Sequence, residues 1–190
     1  NAQVQMIKAY KTLENRDNLN MHISASLSTP YGHREEPINY ELLDKLRDQY
    51  ASKHVHTNHV KLYTDGVPTS SRTAAMLAPY ASSKDSTGLA FGMLHISPDL
   101  LARDLIELDR RGYTVKIHVA GDRSVRVALD AVEAAREANG DSGLRHELAH
   151  AGYIDSDDIS RFAALGAVAD LSPYLWHPSP IIDSIVHAVG

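Results

Sequence analysis

The sequence predicts an α/β fold built on parallel strands, which leaves two architectures open: a doubly wound sheet or a section of a (β/α)8 barrel. Three observations lead there. Strand-like and helix-like patterns alternate along the chain, implying parallel pairing through right-handed crossovers. About five such units fit into 190 residues, short of the ~250 typical of a whole barrel. The turn after the first strand, Ser28-Thr29-Pro30-Tyr31-Gly32, has neither dinucleotide nor P-loop spacing, which disfavours a nucleotide-binding sheet.

Each element has its own signal. Residues 3–18 place Val4, Ile7, Tyr10 and Leu13 at steps of three, the mark of an amphipathic helix. Residues 19–27 alternate as a strand, and residues 39–52 read as a helix with Asn39 as N-cap. Residues 59–64, "HVKLYT", form a strand that stops at Asp65-Gly66. The connection 67–96 is rich in Ser and Thr and lacks periodicity, a length expected of a loop with a function. Residues 97–112 carry helix punctuation: Ser97 to cap, Pro98 in the first turn, Arg110-Arg111 at the end and Gly112 to stop. Strand 113–121, helix 122–140, strand 144–152, helix 156–166 and strand 167–176 complete the alternation. Asn1-Ala2 reads as a tag remnant, leaving 3–190 as the folded unit.

Composition narrows the function. Net charge is −5 without a basic tract, which argues against nucleic acid. No apolar run reaches bilayer length and no signal segment opens the chain, so a cytoplasmic location and no membrane partner are expected. The chain has no cysteine and eleven histidines. Any transition-metal site must therefore use imidazole and carboxylate.

Ligands gather at the carboxyl ends of strands in parallel α/β folds, and three strands carry a metal-capable group there: Lys61, His118 and His150. One strand histidine alone reads as a hydrogen-bonded core residue; two on successive strands can converge on one ion. An ammonium cannot ligate a metal. Lys61 either pairs with an acid such as Asp65, or its neutral amine takes up carbon dioxide and becomes an anionic carbamate with two ligating oxygens.

Four stretches in order, "HVKLYTDGVPTSSRTAAMLAPY", "KIHVAGDRSVRVALDAVE", "RHELAHAGYIDSDDISRFAALG" and "ADLSPYLW", resemble the amidohydrolase superfamily, and within it family three, the group that includes N-substituted formamide deformylase. The resemblance runs from about residue 55 to 177, and less distinctly from residue 3. It implies a partial (β/α)8 barrel of about five parallel strands with flanking helices, supplying barrel strands three to seven. It implies that Lys61 matches the often carboxylated lysine bridging two metals, and that His118 and His150 match the next two ligands. It also implies a strand-one His-x-His before residue 3 and a base-like aspartate after Gly190. The "HVH" of 54–56 is assigned to the linker before the Lys61 strand. Two departures stand near the substrate region: Ala149 where Glu is common, and Ser172-Pro173 where Gln-Pro is common.

Further candidates have structural readings beside functional ones. Asp122 is read as an N-cap or as support for a ligand, and Asp65 as a turn-former or as support for the metal shell. Arg72 is the candidate to contact an anionic or carbonyl oxygen of substrate. His146, four residues before His150, could share its face and serve as a donor behind it. Tyr174 and Trp176 could wall a pocket. His22 is kept out of the ligand set.

The expectation is thus part of a metal-dependent hydrolase acting on a small molecule with an amide-like or other non-peptide C–N bond. One or two divalent ions, zinc by the resemblance, would activate water in the parent. The chain alone is expected to lack the base, to hold metal weakly or not at all, and to have little activity. Two open sheet edges point to a homo-oligomer. The alternative is a non-catalytic α/β binding module whose strand histidines are structural.

Overall fold

A computed structural model describes residues 2–81 and 89–190. Five strands, β1 (Ile23–Ser28), β2 (Val55–Tyr63), β3 (Thr114–Val119), β4 (Glu147–His150) and β5 (Val168–Leu171), form one sheet. All neighbours are parallel and lie in sequence order, β1-β2-β3-β4-β5. In such an order each right-handed crossover returns in the same direction, so the helices collect on one face. A doubly wound sheet instead reverses direction at a switch point. The order is that of a barrel wall, and the doubly wound alternative is excluded.

Helices α1 (Ala2–Glu14), α2 (Tyr40–Tyr50), α3 (Pro98–Arg110), α4 (Asp122–Asn139), α5 (Ser156–Leu165) and α6 (Pro180–Val189) accompany the strands. The caps act as their residue types predict. Asn39 accepts from the Leu42 N–H, Ser97 from that of Leu100 ahead of Pro98, and Asp155 from that of Asp157. Gly166 closes α5 at φ 64°, the left-handed conformation glycine adopts without a Cβ penalty. Helix α1 begins at Ala2, inside the expected tag remnant; Asn1 lies outside the described residues.

Several boundaries differ from expectation. Strand β2 starts at Val55 rather than His59, so the linker assignment of "HVH" is corrected for Val55 and His56. His22 packs against both imidazoles of that motif, tilted to His54 with centroids 4.8 Å apart and stacked on His56 at 5.7 Å. The last strand stops at Leu171, because Pro173 opens a short 3-10 helix, Pro173–Trp176, and has no N–H for the ladder. Helix α6 was not assigned from periodicity; it starts at Pro180 with Ser179 accepting from the Ile182 N–H. Within the connection 67–96, Leu89–Phe91 forms another 3-10 turn, and residues 82–88 lie outside the described residues.

The two sheet faces explain why a lysine sits in an apolar strand. Successive strand residues point to opposite sides. Val60 and Leu62 of β2, with Val115, Ile117 and Val119 of β3, are buried in the main core with Leu101, Leu105 and Leu108 of α3 and Leu129 and Val132 of α4. Lys61, Lys116 and His118 take the other face, which is the interior side of a barrel wall. Full burial of each large aliphatic chain on the helix side contributes about 1.5–3 kcal/mol, which sets the strand's facing and presents Lys61 inward. No described helix is long and apolar enough to cross a membrane.

Candidate metal centre

The strand register carries the site. Tyr63 of β2 pairs with His118 of β3, and His118 with Ala149 of β4, so the ends of three strands meet at one level. The rings of His118 and His150 lie 5.1 Å apart, edge to face. Tyr63 stands 5.8 Å from the His118 ring, and Lys61 Nζ 5.5 Å from that of Tyr63.

Each imidazole is held by one nitrogen. His118 Nε2 donates to the Gly66 carbonyl at 2.8 Å; a carbonyl only accepts, so in the neutral ring the lone pair is on Nδ1. His150 Nδ1 bonds the Ser172 hydroxyl at 2.7 Å, which fixes the ring and leaves Nε2 as its second nitrogen. Burial pushes the pKa of both rings below the usual histidine value, with the Lys61 charge acting in the same direction. Neutral imidazole with its other nitrogen engaged is the form that ligates metal. The Lys61 ammonium is lowered to about 8, first by burial and then by the Lys116 charge. Lys116 itself is paired with Glu147 at 3.1 Å and Asp170 at 2.6 Å, so those two acids serve the lower lysine rather than Lys61.

Asp65 anchors this end of the barrel wall. Fully buried, it accepts backbone N–H bonds from Ala75 at 3.0 Å, Ala120 at 3.0 Å and Gly121 at 2.9 Å. Those bonds join the loop after β2 to the turn after β3, and its Oδ1 lies 3.6 Å from His118 Nε2. Burial raises its pKa to about 6 against these donors. Gly121 makes the junction possible: a Cβ there would lie 2.0 Å from the Ala75 carbonyl oxygen.

Other predicted residues lie elsewhere. Gly121, not Asp122, occupies the N-cap of α4; Asp122 accepts from the Leu77 N–H at 2.7 Å and the Arg123 N–H at 2.9 Å, fastening the loop. Arg72 adopts φ 50°, its N–H donates to the Thr69 carbonyl, and it does not line the cavity beside the histidines. The expected shared face of His146 and His150 does not occur. His146 precedes the four-residue β4, is fully buried, accepts the Val115 N–H on Nδ1 at 3.1 Å and bonds Asp109 through Nε2 at 3.0 Å. The alternation argument fails because His146 lies before the first residue of β4, outside the pleat. Trp176 lines the cavity; the Tyr174 side chain lies outside the described residues.

His95 was not singled out from the sequence. It is buried, stands edge-on to Tyr31 at 5.0 Å, and its N–H donates to the Thr64 carbonyl at the end of β2. Its Nδ1 is buried without a hydrogen-bond partner. No signal marked it, since it lies in the aperiodic connection.

Among the described residues, no three His, Asp or Glu side chains come together as a possible ligand set. A cation at this mouth would therefore depend on Lys61. The donors fit such an ion: two fixed neutral imidazoles and an amine depressed toward the form that reacts with carbon dioxide.

A sequence profile of the amidohydrolase family matches residues 2–188. Protein LONG AFTER FAR-RED 3 of Arabidopsis thaliana is 29% identical over 139 residues, 73% of this chain and 23% of that protein. YtcJ of Bacillus subtilis (strain 168), named as an amidohydrolase, is 29% identical over 143 residues, 75% of this chain and 25% of that protein. Two solved structures, each described as an uncharacterized metal-dependent hydrolase, superpose over 97% of this chain at 26% identity. The one from Pyrococcus furiosus gives a TM-score of 0.68 over 35% of its length. The one from Pyrococcus horikoshii gives 0.71 over 34%. The chain spans about a quarter of the curated relatives it matches.

Proposed function

Because the chain belongs to the amidohydrolase family, we propose that it forms part of a metal-dependent hydrolase whose substrate is a small molecule with an amide-like, non-peptide C–N bond. The observation that carries the reading is the convergence of His118 and His150 at 5.1 Å, each ring fixed through one nitrogen and held neutral by burial. Lys61, as its carbamate, would complete the set with His118 Nδ1 and His150 Nε2. A divalent ion held there supplies Lewis acidity, acidifying water and polarising a carbonyl. Zinc is the ion we propose, and imidazole and oxygen donors without thiolate are compatible with it.

The chain's own groups orient and shield. The Gly66 carbonyl and Ser172 hydroxyl keep the two rings from turning, and Asp65 holds the surrounding turns in place. The loop from Val67 and helix α6 cover the mouth and exclude water from one side. None of these groups is placed as the general base, so we propose that this chain by itself has little or no hydrolase activity. Strands β1 and β5 each leave an open edge, and in the isolated chain pairing with a second copy is the proposed way to cover them; light scattering that gives a clean monomer at high concentration removes that part.

The functional test uses a protein carrying this chain within a complete barrel. Hydrolysis of simple N-substituted amides that is abolished by a chelator and restored by zinc supports the proposal. Metal-independent turnover overturns the metal-dependent reading, and absence of turnover with no divalent ion retained by the intact protein replaces it with a non-catalytic binding module.

A further inference from the structure

A cavity of about 330 Å³ opens beside the two histidines, at the lower end of the range for small-molecule sites. Val67 and Pro68 from the loop after β2, Leu175 and Trp176 from the 3-10 turn after β5, and Ile181 and Ile185 of α6 form much of its wall. None of its lining residues is Asp, Glu, Lys or Arg; His118 and His150, with Thr69 and Tyr153, are its polar members. Helix α6 is fixed in place over this space. Ser184 accepts the Ser70 N–H at 3.0 Å, and Ala188 is buried in a small cluster with Ala74, Met76, Tyr80 and Ala120. The apolar wall is therefore a built part of the mouth.

We propose that this cavity selects substrates whose group beside the scissile bond is neutral and apolar, an alkyl or aryl substituent. The inference rests on reading the mouth as a hydrolase site and adds the substrate class to it. A charged substituent entering the cavity would give up its hydration with no counter-charge to meet it, whereas an apolar one is driven in by the area it buries. Arg72, expected from the sequence to contact an anionic or carbonyl oxygen of substrate, lies off the lining and brings no charge to it.

Trp176 is the single tryptophan and lines the cavity, so its fluorescence reports occupancy without turnover. The chain, stripped of metal by a chelator, is titrated with N-butylacetamide, N-hexylacetamide and the N-hexylacetamide analogue ending in a carboxylate. Affinity is expected to rise about fourfold for each methylene from butyl to hexyl, and the carboxylate analogue is expected to bind at least tenfold more weakly than N-hexylacetamide. In Ile181→Glu, a change at a half-exposed position on the rim, the hexyl amide is expected to lose at least fivefold. Equal affinity for all three probes, or no quenching by any, overturns the proposal. Chain-length selectivity, with no metal taken up by a protein carrying this chain within a complete barrel, would keep the cavity and remove the hydrolase reading. Metal uptake without selectivity would do the reverse.

Discussion

Two histidines four residues apart, His146 and His150, are used in opposite ways. Below β4, His146 is fully buried and both ring nitrogens are engaged, one by the Val115 N–H and one by Asp109. Asp109 is itself bound by Arg136, Asn139 and Ser142, so this end is a closed polar network tying α3, α4 and the approach to β4. Above β4, His150 shares one nitrogen with Ser172 and faces His118 across an open mouth. Full engagement of a buried imidazole marks structure; one engaged nitrogen beside a cavity is what the proposed ligand role of His150 requires. Residue type and spacing are the same in both cases, and the partners decide.

That contrast can be pressed from either end. The largest loss of stability is expected from Asp65→Ala, which strands three buried backbone N–H groups. At about 1–2 kcal/mol each for an unsatisfied donor, the cost is about 3–6 kcal/mol in denaturant unfolding. His146→Ala comes next, at about 2–4 kcal/mol, because it leaves a cavity and unpairs the Val115 N–H. His150→Ala, at a partly buried position, is expected to cost under about 1.5 kcal/mol while weakening metal retention at least tenfold. If His146→Ala weakened metal retention as much as His150→Ala, the contrast would fail.

Acid separates the closed network by two steps. Burial holds His146 below the usual histidine pKa, against its bond to Asp109. The unfolded chain then takes the proton first, so this contribution is complete above the unfolded value of about 6.5 and is lost as pH falls below it. Asp109 is held below the usual carboxylate range: burial raises it, but the bonds from Ser142, Asn139 and His146 outweigh that. Its contribution is present above about 3.9 and is lost as pH drops through its lower folded value. Chemical unfolding across pH 7 to 5 is expected to show a shallower slope in His146→Asn, whose amide oxygen still accepts the Val115 N–H. The smallest effect is expected for Arg72→Ala, within about 0.5 kcal/mol of the parent in thermal melts and without change in N-hexylacetamide binding.

The fold was largely legible because the signals were local. Asn39 and Ser97 announce helix starts, and alternating apolar residues in "TVKIHV" announce a strand. Lys61, His118 and His150 were legible as candidates because parallel strands put their carboxyl ends at one level, a rule that needs only the order of elements. His95 and the isoleucines of α6 were missed because the chain reaches the mouth from an aperiodic loop and from a helix masked by Pro178 and Pro180. His146 was misplaced because the period-two rule holds only inside a strand, and β4 starts after it. Ser172, noted only as a departure from a common Gln-Pro, proved to be the group that fixes His150.

The central claim is that Lys61, His118 and His150 share one divalent ion, and metal content after dialysis against zinc tests it most directly. In a protein carrying this chain within a complete barrel, the account predicts that His118→Ala, His150→Ala and Lys61→Ala each lower bound zinc sharply while His146→Asn leaves it unchanged. Full zinc retention in all three of the first variants would contradict it.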